Sequence, residues 1–307
     1  MTPVGSQGTV REALTPEALA KLASMELRAR AVVEGHFSGQ HASAYRGASV
    51  EFVDHREYAA GDEPRHIDWK VYGRTDRLFV KQYEAETNLD LHLLLDVSRS
   101  MDFTSREVSK LRCATFVAAA LAYIATQQRD AVGLFLFDHA VRQSLPAMTK
   151  PAHLARLLDL LEAVEPGEDT RITPALEEVA GRLHRRAIIV VLSDLLDDPA
   201  EVLRSLGYFR HRGHDVIVLQ MLDPGELTLS YGGTVAFEDL ETLQRLSVEV
   251  SDMRPAYLAE LRRFLTTCRH GCRDRSIDYA LLDTSVPFDT ALIAYLARRR
   301  IHLMRRA

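Results

Sequence analysis

The sequence predicts an α/β protein built on a doubly wound, mostly parallel sheet with helices on both faces. Three observations carry that expectation. From residue 89 onward, apolar runs of strand length alternate with amphipathic helical segments, the signature of β-α crossovers. The runs are apolar throughout, as strands covered on both faces must be. Four of the long ones end in aspartate, at Asp96, Asp138, Asp194 and Asp283, and the carboxyl ends of parallel strands form the ligand crevice of such sheets.

Each element has its own signal. LDLHLLLD (89–96) is a buried strand. Thr104-Ser105-Arg106-Glu107 reads as a capping box for the next helix, hydroxyl and carboxylate satisfying its free N–H groups. That helix places Leu111, Ala114, Val117, Ala118, Leu121 and Ile124 on one face. AVGLFLFD (131–138) is the second long strand, with helices following Lys150 and Pro174. AIIVVLSD (187–194), a helix after Pro199, DVIVLQML (215–222), a helix over 255–269, IDYALLD (277–283) and a C-terminal helix complete the alternation. Residues 226–250 interrupt it as an insertion, a hairpin expected to turn at Gly232-Gly233.

Two stretches precede this domain of residues 89–307. Residues 1–45 form a polar helical and loop segment, its helix running from about Pro16 to Val33. Residues 46–88 form a small β-rich extension with extended runs at Ser49–Val53 and Arg77–Tyr83.

Composition narrows the function. The 38 basic and 43 acidic residues give a net charge of −5, so no overall field draws the chain to nucleic acid or anionic membrane. Three cysteines do not make a disulfide framework, and a reducing compartment is the simpler reading. The longest apolar run, Phe116–Ala125, is too short to span a bilayer. No basic segment followed by an apolar one marks a signal peptide. A cytoplasmic protein without a membrane span is expected.

Chemistry concentrates in one turn. Asp96-Val97-Ser98-Arg99-Ser100 sets a carboxylate and two hydroxyls at alternate positions just past a strand. Three hard oxygen donors in one loop suit Mg²⁺ or Mn²⁺, and other loops must complete the coordination. Asp194 ends another central strand, and Thr170 lies in the loop before the helix at Thr173-Pro174. Strand context, chain order and these five donor types together resemble the metal-ion-dependent adhesion site (MIDAS) of von Willebrand factor A domains. The resemblance implies that Ser98, Ser100 and Thr170 bind the cation directly, and that Asp96 and Asp194 bind it directly or through water.

The string from Glu51 to Lys70, with Arg56-Glu57-Tyr58, Gly61-Asp62, Arg65 and Ile67-Asp68-Trp69, sharpens this. It resembles the hallmark of domain-of-unknown-function family fifty-eight, a von Willebrand factor A-like family associated with MoxR-type AAA+ ATPases, over most of the chain from about Gly47. Physically, Arg56 and Arg65 with Asp62 and Asp68 can form bidentate ion pairs that pin a turn, with Trp69 as hydrophobic anchor.

The resemblance implies a non-catalytic, metal-dependent protein-binding module. A partner protein offers an acidic residue to the ion, and by the resemblance that partner is a MoxR-type AAA+ ATPase, the pair acting in chaperone-like assembly or maturation of a client. In related domains partner binding moves the C-terminal helix, here Phe288–Arg299. Two alternatives stand beside it. A Mg²⁺-dependent phosphohydrolase would use Asp96 as nucleophile, but such enzymes need an aspartate where Ser98 stands, and no P-loop is present. A metal-free structural scaffold would keep the fold alone.

Overall fold

The computed structural model describes residues 50–58, 67–85, 90–167, 171–238 and 245–304. The helix expected at Pro16–Val33 and residue Thr170 lie outside them. Chain contacts divide the molecule into a small unit, residues 37–88, and a larger one that contains residues 89–307.

In the small unit, β1 (Val50–Glu57) pairs antiparallel with β2 (Phe79–Ala85), and α1 (Trp69–Thr75) lies between them in sequence. Ile67 bridges Val80, and both are buried. The buried Asp68 accepts the Val71 N–H at 3.3 Å at the start of α1. Trp69 corrects the sequence reading. The residue is 61% exposed and its ring meets Tyr72 edge-on at 6.1 Å, so it is not a buried anchor. Asp62, Arg65 and the Arg56 side chain lie outside the described residues.

The larger unit is organised by apolar strands that must be covered on both faces. β3 (Asp90–Asp96), β4 (Ala131–Phe137), β6 (Ala187–Ser193) and β7 (Asp215–Leu222) are buried almost end to end. With β10 (Asp278–Asp283) they are parallel. The sheet runs β10-β7-β6-β3-β4-β5. Beyond β3 the chain first builds outward through β4 and β5, then returns to build the other half from β6. This is the doubly wound, von Willebrand factor A-like order, and its switch point lies between β3 and β6.

β5 (Val141–Met148) was not foreseen. It pairs antiparallel with β4 at the sheet edge, and its exposed Arg142, Gln143 and Ser144 hide it from a search for apolar runs. Pro146 is tolerated because an edge strand can spare an N–H.

Helices cover both faces. α2 (Lys110–Gln127) packs with α3 (Pro151–Glu162) and α8 (Phe288–Met304) on one side. On the other, α4 (Thr173–Arg182), α5 (Pro199–His211) and α7 (Val250–Asp274) share a core with Leu94, Phe135, Ile189, Val191 and Val218 of the sheet. The three cysteines are buried free thiols, two of them near the end of α7. Among the described residues, no helix is long and apolar enough to cross a membrane.

Two local expectations fail for identifiable reasons. The Thr104–Glu107 box does not cap α2. Ser105 spends its hydroxyl and its N–H on the Asp223 carboxylate, and Thr104 Oγ1 closes a local turn with the Arg106 N–H. The helix begins at Lys110, and the Ser109 hydroxyl accepts the Arg112 N–H at 3.2 Å. A capping box does form at Asp223 and Glu226, opening the short helix α6 (Pro224–Thr228). The inserted hairpin exists, as β8 (Thr234–Glu238) paired with β9 (Arg245–Glu249). Gly232 and Gly233 precede β8 instead of forming its turn, and the connection is residues 239–244.

Candidate metal-binding site

β3 and β6 are neighbours, so their carboxyl ends meet at the switch point, where the sheet splays its crossovers to opposite faces. Asp96 ends β3 wholly buried. Its Oδ1 accepts the Ser98 N–H at 2.8 Å, closing a tight turn, and its Oδ2 accepts the Ser193 hydroxyl from the end of β6 at 2.5 Å. The turn leads into a 3₁₀ segment, Arg99–Asp102. It brings the Ser98 and Ser100 hydroxyls within 3.2 Å of each other. Three of the five expected donors therefore share one turn.

Asp194 follows β6 and is equally buried. Its carboxylate accepts the Leu196 N–H at 3.1 Å and the Lys110 ammonium at 2.8 Å. Leu195 between them has φ +59°, a strained conformation for a branched side chain. The Ser193 hydroxyl accepts its N–H at 2.9 Å, and its side chain is buried. Beneath, Gln220 of β7 donates to the Asp194 carbonyl at 2.7 Å and accepts the Tyr279 hydroxyl at 2.6 Å. The strain is thus held by a satisfied polar frame, and it turns Leu196 outward, 42% exposed.

Thr170 lies outside the described residues, but the chain on either side of it is fixed at this pole. The Gly167 N–H donates to the Val97 carbonyl at 2.5 Å, inside the Asp96 turn. A Cβ on Gly167 would collide with Asp138 Oδ2 and stand 3.2 Å from the Val97 carbonyl, so glycine alone permits the approach. On the far side, the Thr173 N–H and hydroxyl donate to Asp197 at 3.1 and 3.0 Å. Asp197 belongs to the loop that follows Asp194.

The electrostatics are those of a site short of positive charge. Burial, and then the neighbouring Asp194 carboxylate, push the Asp96 carboxyl up to about 7, although Ser193 and Ser98 donate to it. Burial also raises the Glu226 carboxyl, partly offset by Lys110. Lys110 is the compensating cation. Burial acts to strip its proton, but Asp194 and Glu226 outweigh that and hold its pKa raised. Hard oxygen donors with two carboxylates under mutual repulsion fit an octahedral divalent cation. Among the described residues, no group of three or more His, Cys, Asp or Glu side chains is arranged to hold a metal, so any ion here depends on the hydroxyls.

The other strand-end aspartates have different work. Asp138 is buried against a fork from Arg142, at 2.7 Å to Nε and 2.6 Å to an amino group. These donors hold its pKa low despite its burial. Asp283 accepts the Ser285 N–H at 2.8 Å at the rim. Sequence reasoning gave no role to Ser193, Lys110, Glu226 or Asp223. Lys110 alone carried a usable signal: it is a charge on the stripe that continues through Ala114 and Ala118, and such a charge must find a partner when buried.

Comparison with known proteins gives a family match. The model of the family described as "Protein of unknown function DUF58" matches residues 54–265. Uncharacterised proteins of Mycobacterium tuberculosis and Mycobacterium bovis are 28% identical over 230 residues, which cover 74% of this chain and 72% of theirs. Among solved structures, a conserved hypothetical protein BatB from Bacteroides thetaiotaomicron is similar over 69% of this chain and 98% of its own, with 16% identity and a TM-score of 0.47. A von Willebrand factor type A protein from Catenulispora acidiphila is similar over 58% of this chain and 43% of its own, with 16% identity and a TM-score of 0.33.

Proposed function

The chain belongs to the DUF58 family, and from that premise we propose that it is a non-catalytic protein-binding module whose contact runs through one divalent cation, Mg²⁺ or Mn²⁺. One observation carries the reading. Asp96, Ser98 and Ser100 share a turn at the switch point, and Ser193 ties that turn to the strand end that bears Asp194. Ser98 and Ser100 would hold the ion through hydroxyl lone pairs, with Thr170 as a third hydroxyl. Asp96 and Asp194 would balance its charge. A bound ion would offer a partner's aspartate or glutamate an open coordination position, and the exposed Leu196 adds an apolar contact at the rim.

Lys110 is fully buried with its ammonium on Asp194 and Glu226, so that cation is not free to meet a phosphoryl group. The partner is taken to be a MoxR-type AAA+ ATPase, as the family resemblance implies, acting in the cytoplasm on the assembly or maturation of a client.

The test is a Mg²⁺ titration followed by melting temperature, since an ion held only by the folded state must stabilise it. The wild type is expected to gain stability, and a Ser98→Ala/Ser100→Ala double variant is not. A partner captured without chelator should be lost with chelator and lost with the double variant. Equal melting of wild type with Mg²⁺ and with chelator would sink the metal-dependent reading. Phosphatase turnover abolished by Asp96→Asn would replace it with the hydrolase alternative.

A further inference from the structure

We propose that Lys110 is a resident competitor for Asp194, an internal ammonium that sets how tightly the site holds a divalent cation and that links ion binding to the α6–α7 arm. The inference rests on the reading of the Asp96 turn given above.

Lys110 is the first residue of α2, and its side chain has no exposure. The ammonium ends between two carboxylates, 2.8 Å from Asp194 Oδ2 and 2.6 Å from Glu226 Oε1, with the Phe103 ring centroid 5.8 Å away. It therefore draws charge from the same carboxylate that the ion would use. A second cation near Asp194 meets a positive charge already in place, and in a buried site that repulsion is weakly screened.

The charges match the ligand class. Asp96, Asp194 and Glu226 interact electrostatically with one another or through Lys110. With Asp96 ionised, one ammonium among these three carboxylates leaves an excess of two negative charges, which a divalent cation balances. Glu226 decides how the ammonium is shared. While it holds Lys110 at 2.6 Å, Asp194 is only partly neutralised; without that pull the ammonium belongs to Asp194 alone.

Glu226 is itself held by the arm. Its other oxygen accepts the Asp223 N–H at 2.8 Å in the capping box of α6. Asp223 in turn accepts from Ser105, in the segment between the 3₁₀ turn and α2. The Tyr257 hydroxyl of α7 donates to the Glu226 carbonyl at 2.9 Å. A continuous set of hydrogen bonds thus runs from Asp194 through Lys110 and Glu226 to the first turns of α7, beside the β8–β9 hairpin. By reciprocity, whatever moves the arm changes ion affinity, and the ion changes the arm.

Calorimetric titration of the full chain with Mg²⁺ in metal-free buffer tests this, comparing wild type, Lys110→Gln and Glu226→Gln. Lys110→Gln is expected to bind Mg²⁺ at least tenfold more tightly, and Glu226→Gln at least tenfold more weakly. Both remove one partner of the same ion pair, so a merely structural pair would shift affinity in one direction or not at all. Wild-type binding with both variants within twofold of it, or both shifted the same way, overturns the proposal. If Lys110→Gln does not fold, Glu226→Gln carries the test, because its side chain is 16% exposed at the rim, and wild-type affinity in that variant overturns the proposal. Absence of Mg²⁺ binding by the wild type overturns the reading of the Asp96 turn instead.

Discussion

Asp96→Asn should make the ion-free protein more stable while destroying its response to Mg²⁺. The wild-type carboxyl is held at about 7 in the folded state, against an ordinary 3.8, first by burial and then by Asp194. Between those values the folded protein keeps a proton that the unfolded chain has released. Stability therefore falls as pH rises from about 4 to about 7, and the loss is complete above that. A shift of this size corresponds to about 2–4 kcal/mol at pH 8, at about 1.4 kcal/mol per pH unit and with allowance for relaxation around the site. Asparagine has the same shape and can still accept the Ser98 N–H, but it never carries the charge. At roughly 2–4 °C per kcal/mol for a domain of this size, the variant should melt about 4–16 °C above wild type in chelator at pH 8. At pH 4–5 the advantage should vanish. His92 and His214 also titrate, their pKa values lowered to about 4, chiefly by burial. They cost stability as pH falls below about 6.5, but they do so in both proteins and cancel in the difference. Scanning calorimetry at pH 5 and pH 8 in chelator, repeated with Mg²⁺, measures all four corners. A variant that melts below wild type in chelator at pH 8 would refute the argument that Asp96 is a strained, uncompensated charge.

Ser193→Ala removes the donor to Asp96 Oδ2 and the acceptor of the Leu195 N–H, so it should cost about 2–3 kcal/mol in urea unfolding and weaken Mg²⁺ binding. Gly167→Ala drives a methyl group into Asp138; a loss of about 1–3 kcal/mol from overpacking is expected, together with weaker Mg²⁺ binding. Asp223→Ala removes a helix cap and the partner of Ser105, and thermal melts should show a loss of about 1–3 kcal/mol without loss of the fold.

The sheet was legible because its inner strands have no choice. A run such as Ala187–Ser193 is apolar on both faces and can only be covered twice. β5 was invisible for the converse reason: an edge strand with one solvated face shows exposed Arg142 and Gln143 where a buried strand would show valine. The Asp96 turn was legible because its donors are contiguous and their geometry is set by backbone that a tight turn dictates. Lys110 and Glu226 were not, since they are 116 residues apart and meet only through the third dimension. The Thr104–Glu107 motif failed in the same way. A local cap competes with any distant acceptor, and the Asp223 carboxylate won Ser105. Trp69 shows the limit of composition, since a large aromatic is not thereby an interior one.

α7 is the longest helix among the described residues, and its 25 residues span about 37 Å at 1.5 Å each. Near its upper end Tyr257 is tied to Glu226; near its lower end Gly271 lies so close to the buried Leu203 of α5 that a Cβ would collide with it. Cys268 and Cys272 are sunk in the core beside that point. The lower end is therefore the closely seated one, and a push at the upper end is expected to appear as tilt, with the greatest displacement at the hairpin and the least at the base.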